Sequence, residues 1–277
     1  MKTTVGFIGA GNMAEALMAG MLKDGFPRNA LSASDRDRSR LKRTGGKLKI
    51  RTLSTNSEIA KNCGVLVLAT KPQDLSQVLS EISPDLKNQL LISIAAGIDT
   101  ETLRKISKSP GRKSALKIVR AMPNNPALIG QGITALFSKD RLSPGERRTV
   151  EAVFQGSGDL IWVKKESWLD AVTGLSGSGP AYLYSFVRAL SEGGRRVGLP
   201  SDLAERLALK TTLGAALTLE KTRKSPSELI PLVTSKKGTT LAGLQVMKKA
   251  GFERIMAQTV KAAARRARQI RMEMKKA

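Results

Sequence analysis

Short apolar runs alternate with helix-like segments over the first 165 residues of the chain. The run at 64–70 is continuously apolar, which is typical of a strand buried on both faces of a parallel sheet. Apolar side chains at helical spacing occupy 13–22, and a shorter helix is indicated at 54–62. The pattern predicts a doubly wound α/β sheet, with strands at 4–8, 30–34, 48–53, 64–70, 90–95, 118–122 and 132–137.

Beyond residue 165 the strand-like runs disappear, and long segments rich in Ala, Leu, Lys, Arg and Glu replace them. Gly and Pro separate these segments, as expected for helix ends. The sequence therefore predicts an α/β domain over 1–165 and an all-helical domain over 166–277, with helices at 178–197, 201–223, 227–233, 241–250 and 252–276.

A turn of small residues joins the first strand to the first helix. Gly9 permits a sharp turn, Gly11 lets the backbone approach a pyrophosphate, and Ala14 is small enough for the helix to pack on the strand. The first N–H groups of the helix then face the anion. The order of strand, phosphate loop and helix predicts a Rossmann-type dinucleotide-binding domain.

The second strand ends at a polar segment that distinguishes the two nicotinamide dinucleotides. Ser34 and Arg36 suit the 2′-phosphate of NADP, whereas Asp35 suits the free 2′-hydroxyl of NAD. The segment contains both kinds of residue. We expect NADPH as the cofactor, and NADH stays an alternative.

Composition excludes several classes of chemistry. The chain has no histidine, which removes the Ser-His-Asp triad, the usual general acid of alcohol-forming dehydrogenases and most transition-metal sites, so we expect no metal. Its one cysteine, Cys63, cannot form an internal disulfide. Nothing resembles a signal peptide or a membrane span. We expect a cytoplasmic protein that does not contact membranes.

The formal net charge of +24 raises the alternative of nucleic-acid binding. The excess charge is spread over both halves of the chain. One basic run, at 261–276, has no interleaved aromatic residues for base stacking, and it contains Arg265, Arg266, Arg268, Arg271 and Lys275. We interpret this run as a solvated helix and expect no nucleic-acid partner.

Two loops of the helical half combine small residues with hydroxyl groups at predicted helix starts. They occupy 176–180, which includes Ser176, and 234–240. Free N–H groups and hydroxyls at a helix start suit a carboxylate ligand. Ordinary capping by Ser or Thr explains the same pattern, so the residues alone leave both interpretations open.

Six segments together carry a resemblance to a known family: GFIGAGNMA at 6–14, ATKPQ at 69–73, SIAAGI at 93–98, MPNNPA at 122–127, DAVTGLSGSGPAY at 170–182 and TSKKGTTLAGL at 234–244. They resemble pyrroline-5-carboxylate reductase, and the resemblance runs from residue 5 to about 270. It implies reduction of the C=N bond of 1-pyrroline-5-carboxylate by NADPH or NADH to give L-proline, the last step of proline biosynthesis. It also implies a homodimer through the helical domain, with dimers often assembled into a decamer.

The resemblance implies roles for individual residues. It places against the cofactor Gly9, Ala10, Gly11, Asn12, Met13, Ser34, Arg36, Asn56, Thr70, Lys71, Pro72, Ala96 and Gly97. It places against the substrate Glu166, Gly238, Thr239 and Thr240, to which the loop at 176–180 adds Ser176. A protonated cyclic imine is already electrophilic, so we expect Thr240 to be catalytic through a hydrogen bond to the ring nitrogen.

One departure from the family pattern lies in the substrate loop. Lys236 and Lys237 stand where the family usually has Pro and Gly. If Lys237 adopts a positive φ, the strain is of order 1 kcal/mol. The added charges leave open a related reductase of another cyclic imino acid, or a protein that binds NADPH without turnover.

A 3-hydroxyacid dehydrogenase is a further alternative with the same two-domain plan. Its chemistry requires a basic lysine on the helix that follows the small-residue loop. The segment 178–187 contains no lysine, so the sequence favours the imino-acid reductase.

Overall fold

The computed structural model describes residues 3–108 and 116–276. Strands and helices alternate in its first part as β1 (Val5–Ile8), α1 (Asn12–Lys23), β2 (Leu31–Ser34), α2 (Arg38–Leu48), β3 (Arg51–Thr52), α3 (Asn56–Asn62), β4 (Val65–Leu68), α4 (Leu75–Ile82), β5 (Leu90–Ser93), α5 (Thr100–Ile106), β6 (Lys117–Met122), β7 (Gly132–Ser138), α6 (Pro144–Phe154) and β8 (Gly158–Trp162).

Helices make up the rest of the described chain. They are α7 (Trp168–Val172), α8 (Gly179–Arg196), α9 (Ser201–Thr222), α10 (Pro226–Leu232), α11 (Thr239–Lys249) and α12 (Phe252–Lys276). A short π-helical segment, Thr173–Gly177, continues directly from α7. The helical character of the second half is confirmed.

The strands form one sheet in the order β3-β2-β1-β4-β5-β6-β7-β8. Every neighbouring pair is parallel except β6 and β7, which are antiparallel. The strand order reverses beside β1, where the chain crosses from β3 to β4. This is a topological switch point, and ligands of such sheets bind outside the carboxyl ends of the strands there. The predicted doubly wound sheet is confirmed.

Alternate residues of the central strands enter two separate cores, one on each face of the sheet. Phe7 and Val67 pack with α1, α2 and α6, whereas Ile8 and Leu68 pack with α3, α4 and α5. All four side chains are at most 1% exposed. A strand buried on both faces needs no polar positions, which explains the continuous apolar runs in the sequence.

Three elements differ from the sequence prediction. The predicted strand at 48–53 shortens to β3, because Leu48 ends α2 and Lys49 takes a left-handed conformation (φ 53°) as its C-cap. Strand β8 lies in a segment where the sequence predicted no strand, and its residues alternate between exposed and partly buried positions. The third difference is the direction of β7. The turn Asn125–Ile129 is a short connection, so β7 runs antiparallel to β6, unlike the parallel strands of the rest of the sheet.

The chain divides into two compact units. Residues 1–178 with 262–277 form the α/β unit, and residues 179–261 form the helical unit. The prediction of a domain boundary at 165 stays a prediction. Among the described residues, no helix has the length and apolar character that a membrane crossing requires.

Candidate functional site

The glycine turn after β1 has the geometry that its sequence predicts. Gly9 has a φ of 102°, and a Cβ at this position would lie 2.6 Å from the carbonyl oxygen of Ala69. Gly11 is the N-cap of α1, with a φ of −70° and no side-chain capping bond. No atom lies within 4 Å of the place that a Cβ on Gly11 would take. The space beside the start of α1 is therefore open to an anion.

Asp35 stabilises the glycine turn. Its Oδ2 accepts a hydrogen bond from the Ala10 N–H at 2.7 Å, and its Oδ1 accepts one from the Asp37 N–H at 2.8 Å. The residue is buried. Its carboxylate is thus used by the backbone, which weakens the case for Asp35 as the ligand of a ribose hydroxyl.

Ser34 and Arg36 lie at the end of β2. The Ser34 hydroxyl donates to the Asn56 Oδ1 at 2.8 Å. The Arg36 guanidinium lies 3.0 Å from Asp74, and 75% of its side chain is exposed. An exposed ion pair contributes at most about 1 kcal/mol, so a phosphate can readily compete for Arg36. This corner of the cleft favours a 2′-phosphate.

These loops enclose a cleft of about 560 Å³ at the carboxyl ends of the strands. The predicted cofactor residues that line it are Gly9, Gly11, Asn12, Arg36, Asn56, Thr70 and Lys71. Ala10, Met13, Ser34 and Pro72 belong to the same loops but do not line the cleft. Ala96 and Gly97 follow β5 and do not line it either.

One buried polar atom, in a residue that lines the cleft, indicates that a ligand binds there. The Thr70 Oγ1 is buried, and it has no hydrogen-bond partner among the described residues. A buried hydroxyl without a partner is costly unless a ligand or water satisfies it. The open space at Gly11, the uncapped start of α1 and this hydroxyl together fit a dinucleotide.

Sequence reasoning missed one wall of the cleft. Gln77, Val78 and Glu81 line it from α4, together with Asp74 just before that helix. No motif marks these residues. The sequence does contain an indirect signal for this wall, because the apolar run of β4 and the helix start at Pro72 place α4 beside the site.

Gly97 has a packing role that the sequence did not indicate. It has a φ of 74°, and a Cβ on it would lie 2.5 Å from the Cγ2 of Ile270 near the end of α12. The backbone after β5 is therefore in close contact with that helix. The expectation that Ala96 and Gly97 contact the cofactor stays a prediction.

Glu166 is held by three hydrogen bonds. Its Oε1 accepts from the Thr100 N–H at 2.7 Å and from the Arg120 Nη1 at 3.2 Å, and its Oε2 accepts from the Thr100 hydroxyl at 3.0 Å. Its side chain is 24% exposed. The carboxylate therefore has a fixed orientation and remains accessible.

The predicted helix start at 178 is confirmed, because α8 begins at Gly179 with Pro180 in its first turn, but the residues before it do not form the expected loop. Ser176 lies within the π-helical segment that follows α7, and its hydroxyl donates to the Val172 carbonyl at 3.2 Å. Pro180 has no N–H to donate four residues back, and the Ser176 carbonyl instead accepts from the Asn124 Nδ2 at 3.2 Å. Isolated π-turns of this kind occur often at functional sites.

The loop before α11 leads into a helix start, as the sequence predicts. The Gly238 N–H donates to the Ser235 carbonyl at 3.1 Å and closes a turn over Lys236 and Lys237. Lys237 has a φ of 59°, so the condition under which the sequence analysis expects backbone strain is met. Gly238 is the N-cap without a side-chain bond, so α11 begins with the exposed Thr239 and Thr240. Capping by a Ser or Thr side chain, one of the two interpretations that the residues left open, is not found at this helix start.

The sheet order and the glycine-lined cleft define an α/β protein of the Rossmann dinucleotide-binding class. Residues 4–97 match the family model "NADP oxidoreductase coenzyme F420-dependent". Residues 166–270 match the model "Pyrroline-5-carboxylate reductase dimerisation".

Comparison with individual proteins specifies the family. A pyrroline-5-carboxylate reductase of Pseudomonas aeruginosa is 36% identical over 267 residues, which cover 96% of each chain. The structure of one from Coxiella burnetii is similar with a TM-score of 0.89 and 32% identity, and it covers 98% of this chain and 99% of that one. The structure of a Plasmodium falciparum pyrroline carboxylate reductase with NADP bound gives a TM-score of 0.85 at 29% identity, with the same coverage. The chain belongs to the pyrroline-5-carboxylate reductase family and is an oxidoreductase.

Proposed function

We propose that this protein reduces the C=N bond of 1-pyrroline-5-carboxylate to give L-proline, with NADPH as the reductant. The observation that carries the proposal is the glycine-lined cleft at the switch point of the sheet, in a chain that belongs to this family. The reaction completes proline biosynthesis. A location in the cytoplasm stays a prediction from the sequence.

The chain's own residues explain how NADPH would be held. The N–H groups at the start of α1 would bind the pyrophosphate, for which Gly11 leaves room. Arg36 and Asn56 line the cleft and would bind the 2′-phosphate, with the buried Ser34 hydroxyl orienting Asn56, so NADPH would be preferred over NADH. Thr70 and Lys71 also line the cleft and would contact the cofactor. When bound, NADPH supplies the hydride.

The substrate is a small acid with a protonated ring nitrogen. The first N–H groups of α11, at Thr239 and Thr240, suit its carboxylate because the start of a helix carries partial positive charge. The Thr240 hydroxyl accepts from or donates to the ring nitrogen as its protonation state changes during reduction. Glu166 supplies negative charge near the iminium. Ser176 is the remaining residue that we assign to substrate binding.

The protein acts as an oligomer. The match of residues 166–270 to a dimerisation model supports oligomerisation of the family. Leucine side chains of the helical unit, such as Leu209 and Leu213, are about half exposed. We infer a homodimer through the helical unit, and a decamer of five such dimers is the assembly that the family resemblance suggests.

A related reductase of another cyclic imino acid is the second candidate. Lys236 and Lys237 favour it because they add two charges to the proposed substrate loop, one of them at a strained φ of 59°. A comparison of pyrroline-5-carboxylate with the corresponding six-membered cyclic imino acid decides between the two substrates.

The experiment that tests the proposal follows NADPH oxidation with pyrroline-5-carboxylate, in the wild type and in Thr240→Val. We expect the substitution to lower kcat/KM by about 10-fold or more, equivalent to roughly 1.4 kcal/mol of transition-state stabilisation. Thr234→Val is the matched control, since the Thr234 hydroxyl is bonded to the Ile230 carbonyl at 2.7 Å. Equal rates for Thr240→Val and the wild type would remove Thr240 from the mechanism. A wild type that binds NADPH but never consumes it would support the non-catalytic alternative.

A further inference from the structure

The α/β unit contains a compact group of six charged side chains, of which only Glu166 belongs to the proposed substrate site. The group has three carboxylates and three cations, and the exposed Glu101 also pairs with one of these cations, Lys275, at 3.4 Å. Asp99, Asp170 and Arg120 are each less than 9% exposed. Charges are retained in a protein interior only where each has partners. We call this group the six-charge cluster: Asp99, Glu166, Asp170, Arg120, Arg271 and Lys275.

One end of the cluster holds the Glu166 carboxylate. Arg120 contacts it from β6, and Thr100 contacts it with both its N–H and its hydroxyl. Thr100 is the first residue of α5, and Asp99 is the N-cap of that helix. The position of Glu166 therefore depends on where α5 begins.

The other end of the cluster is supplied by α12. The Arg271 Nε and Nη2 both donate to the Asp170 Oδ2, at 3.1 and 2.9 Å. Its Nη1 lies 3.9 Å from the Asp99 Oδ2, and the Lys275 Nζ lies 2.9 Å from the same oxygen. Arg271 thus links Asp99, the N-cap of α5, to Asp170 of α7. Asp170 lies four residues after Glu166 in the sequence.

Packing fixes the end of α12 in this place. Ala267 is 4% exposed, Ile270 fits against Gly97, and Met274 packs on one of the two cores. Burial would raise the pKa of the Asp99 carboxyl, but hydrogen bonds from Lys275 and Thr102 outweigh it and hold that pKa below its usual range. The sequence interpretation of 261–276 as a solvated basic helix is therefore wrong for Arg271, whose side chain is only 18% exposed.

We propose that Arg271 is a positioning residue for substrate binding, which it serves by holding Asp99 and Asp170 together so that Thr100 and Arg120 fix the Glu166 carboxylate. This inference rests on the proposed function of Glu166. Without the guanidinium, the buried Asp170 loses its close cation and repels Asp99, which then keeps only Lys275 as its partner. Thr100 then moves away from Glu166, and the carboxylate loses its orientation. The cleft at the ends of β1, β2 and β4 contains none of the six charges.

The test compares Arg271→Met with the wild type in the full-length enzyme. We expect KM for pyrroline-5-carboxylate to rise about 10-fold or more, while KM for NADPH stays within about 2-fold. Calorimetric binding of proline, without cofactor, should weaken to the same extent. Amide hydrogen exchange at Thr100 should become faster, since its N–H loses its bond to Glu166.

Arg266→Met is the matched control on the same helix, because the exposed Arg266 pairs with Glu273 and hydrogen-bonds Gln269, both on α12 itself. It should change none of these quantities. Arg271→Lys keeps the charge but not the fork of donors, so it should restore part of the substrate affinity, and it carries the test if Arg271→Met does not fold. In the double variant with Glu166→Gln, the loss of Arg271 should have little further effect on KM.

Two results would overturn the inference. A lowered melting temperature with unchanged proline affinity and unchanged exchange at Thr100 would give Arg271 a merely structural role. Additive effects of Glu166→Gln and Arg271→Met would show that Arg271 does not act through Glu166. If the wild type does not reduce pyrroline-5-carboxylate, the proposed function fails, yet the exchange rate at Thr100 still decides whether Arg271 fixes the carboxylate.

Discussion

The two units of this protein bury their apolar side chains to very different extents. In the α/β unit, side chains such as Phe7, Leu17 and Leu66 are fully buried in two cores. In the helical unit, the described residues below 9% exposure are Ser191, Ala204 and Ala208. The α/β unit therefore has the core of an independent domain, whereas the helical unit lacks one within a single chain.

Helix α9 shows the difference most clearly. Its buried side chains are Ala204 and Ala208, and Ala204 lies close to Gly194 of α8. Its large ones face outward, with Leu209, Leu213 and Leu217 exposed by 56%, 46% and 39% at intervals of four residues. A leucine stripe of this kind on a monomer marks an interaction surface. We therefore assign stability to the α/β unit and association to the helical unit.

The largest expected effect is that of Leu213→Arg. Each buried leucine contributes about 1.5–3 kcal/mol, and a two-fold interface loses it twice, so the dissociation constant of the dimer should rise by about 1,000-fold or more. Light scattering after gel filtration should show monomers. Leu213→Met, which conserves volume, is the control. A variant that remains dimeric would refute the assignment of association to this face.

The α/β unit can be tested at two neighbouring glycines. Gly9→Ala should destabilise this unit by about 2–4 kcal/mol, because it combines an unfavourable φ with a contact to the Ala69 carbonyl. Gly11→Ala should change stability by less than about 1 kcal/mol but weaken NADPH binding by about 10-fold or more. Denaturant unfolding and NADPH fluorescence measure the two quantities.

Thiol labelling of Cys63 provides an independent measure of unfolding in the α/β unit. The side chain is 5% exposed, and burial raises the pKa of the thiol to about 11. Labelling at neutral pH should therefore require opening of the unit, and it should be faster in Gly9→Ala than in Gly11→Ala. Equal labelling rates would contradict the distinction between the two glycines.

The smallest expected effect is that of Lys237→Gly in the helical unit. Relief of the left-handed strain, less the entropy of a new glycine, should stabilise the protein by about 0.5–1 kcal/mol. Arg223→Gly should do the same, since Arg223 has a φ of 55° at the C-cap of α9. Only Lys237→Gly should also raise KM for pyrroline-5-carboxylate, by up to about 5-fold at low salt, with the difference lost at high salt. Identical KM values for both variants would show that the lysine does not assist substrate binding.

The sequence predicted what depends on local pattern. Apolar runs identified the central strands, and the spacing of Gly9 and Gly11 identified the dinucleotide turn. A lysine at position 237, where the family usually has glycine, raised the question of a positive φ, which Lys237 does adopt. Strand β8 lies at the edge of the sheet, where burial on two faces no longer imposes an apolar run. Strand β7 was predicted, but its antiparallel direction depends on the short connection from β6, which no hydrophobic pattern reveals. The six-charge cluster could not be predicted, because Arg271 lies 101 residues from Asp170 in sequence and a buried arginine looks like a solvated one in a helical pattern.

The most direct test of the account is the fate of the hydride. With NADPH that carries deuterium at both C4 positions of the nicotinamide ring, the wild type should convert pyrroline-5-carboxylate into proline with one deuterium at C5, one proline for each NADPH oxidised. Mass spectrometry and NMR of the product give both the number and the position of the label. Proline without deuterium, or oxidation of NADPH without formation of proline, would contradict the proposed reaction.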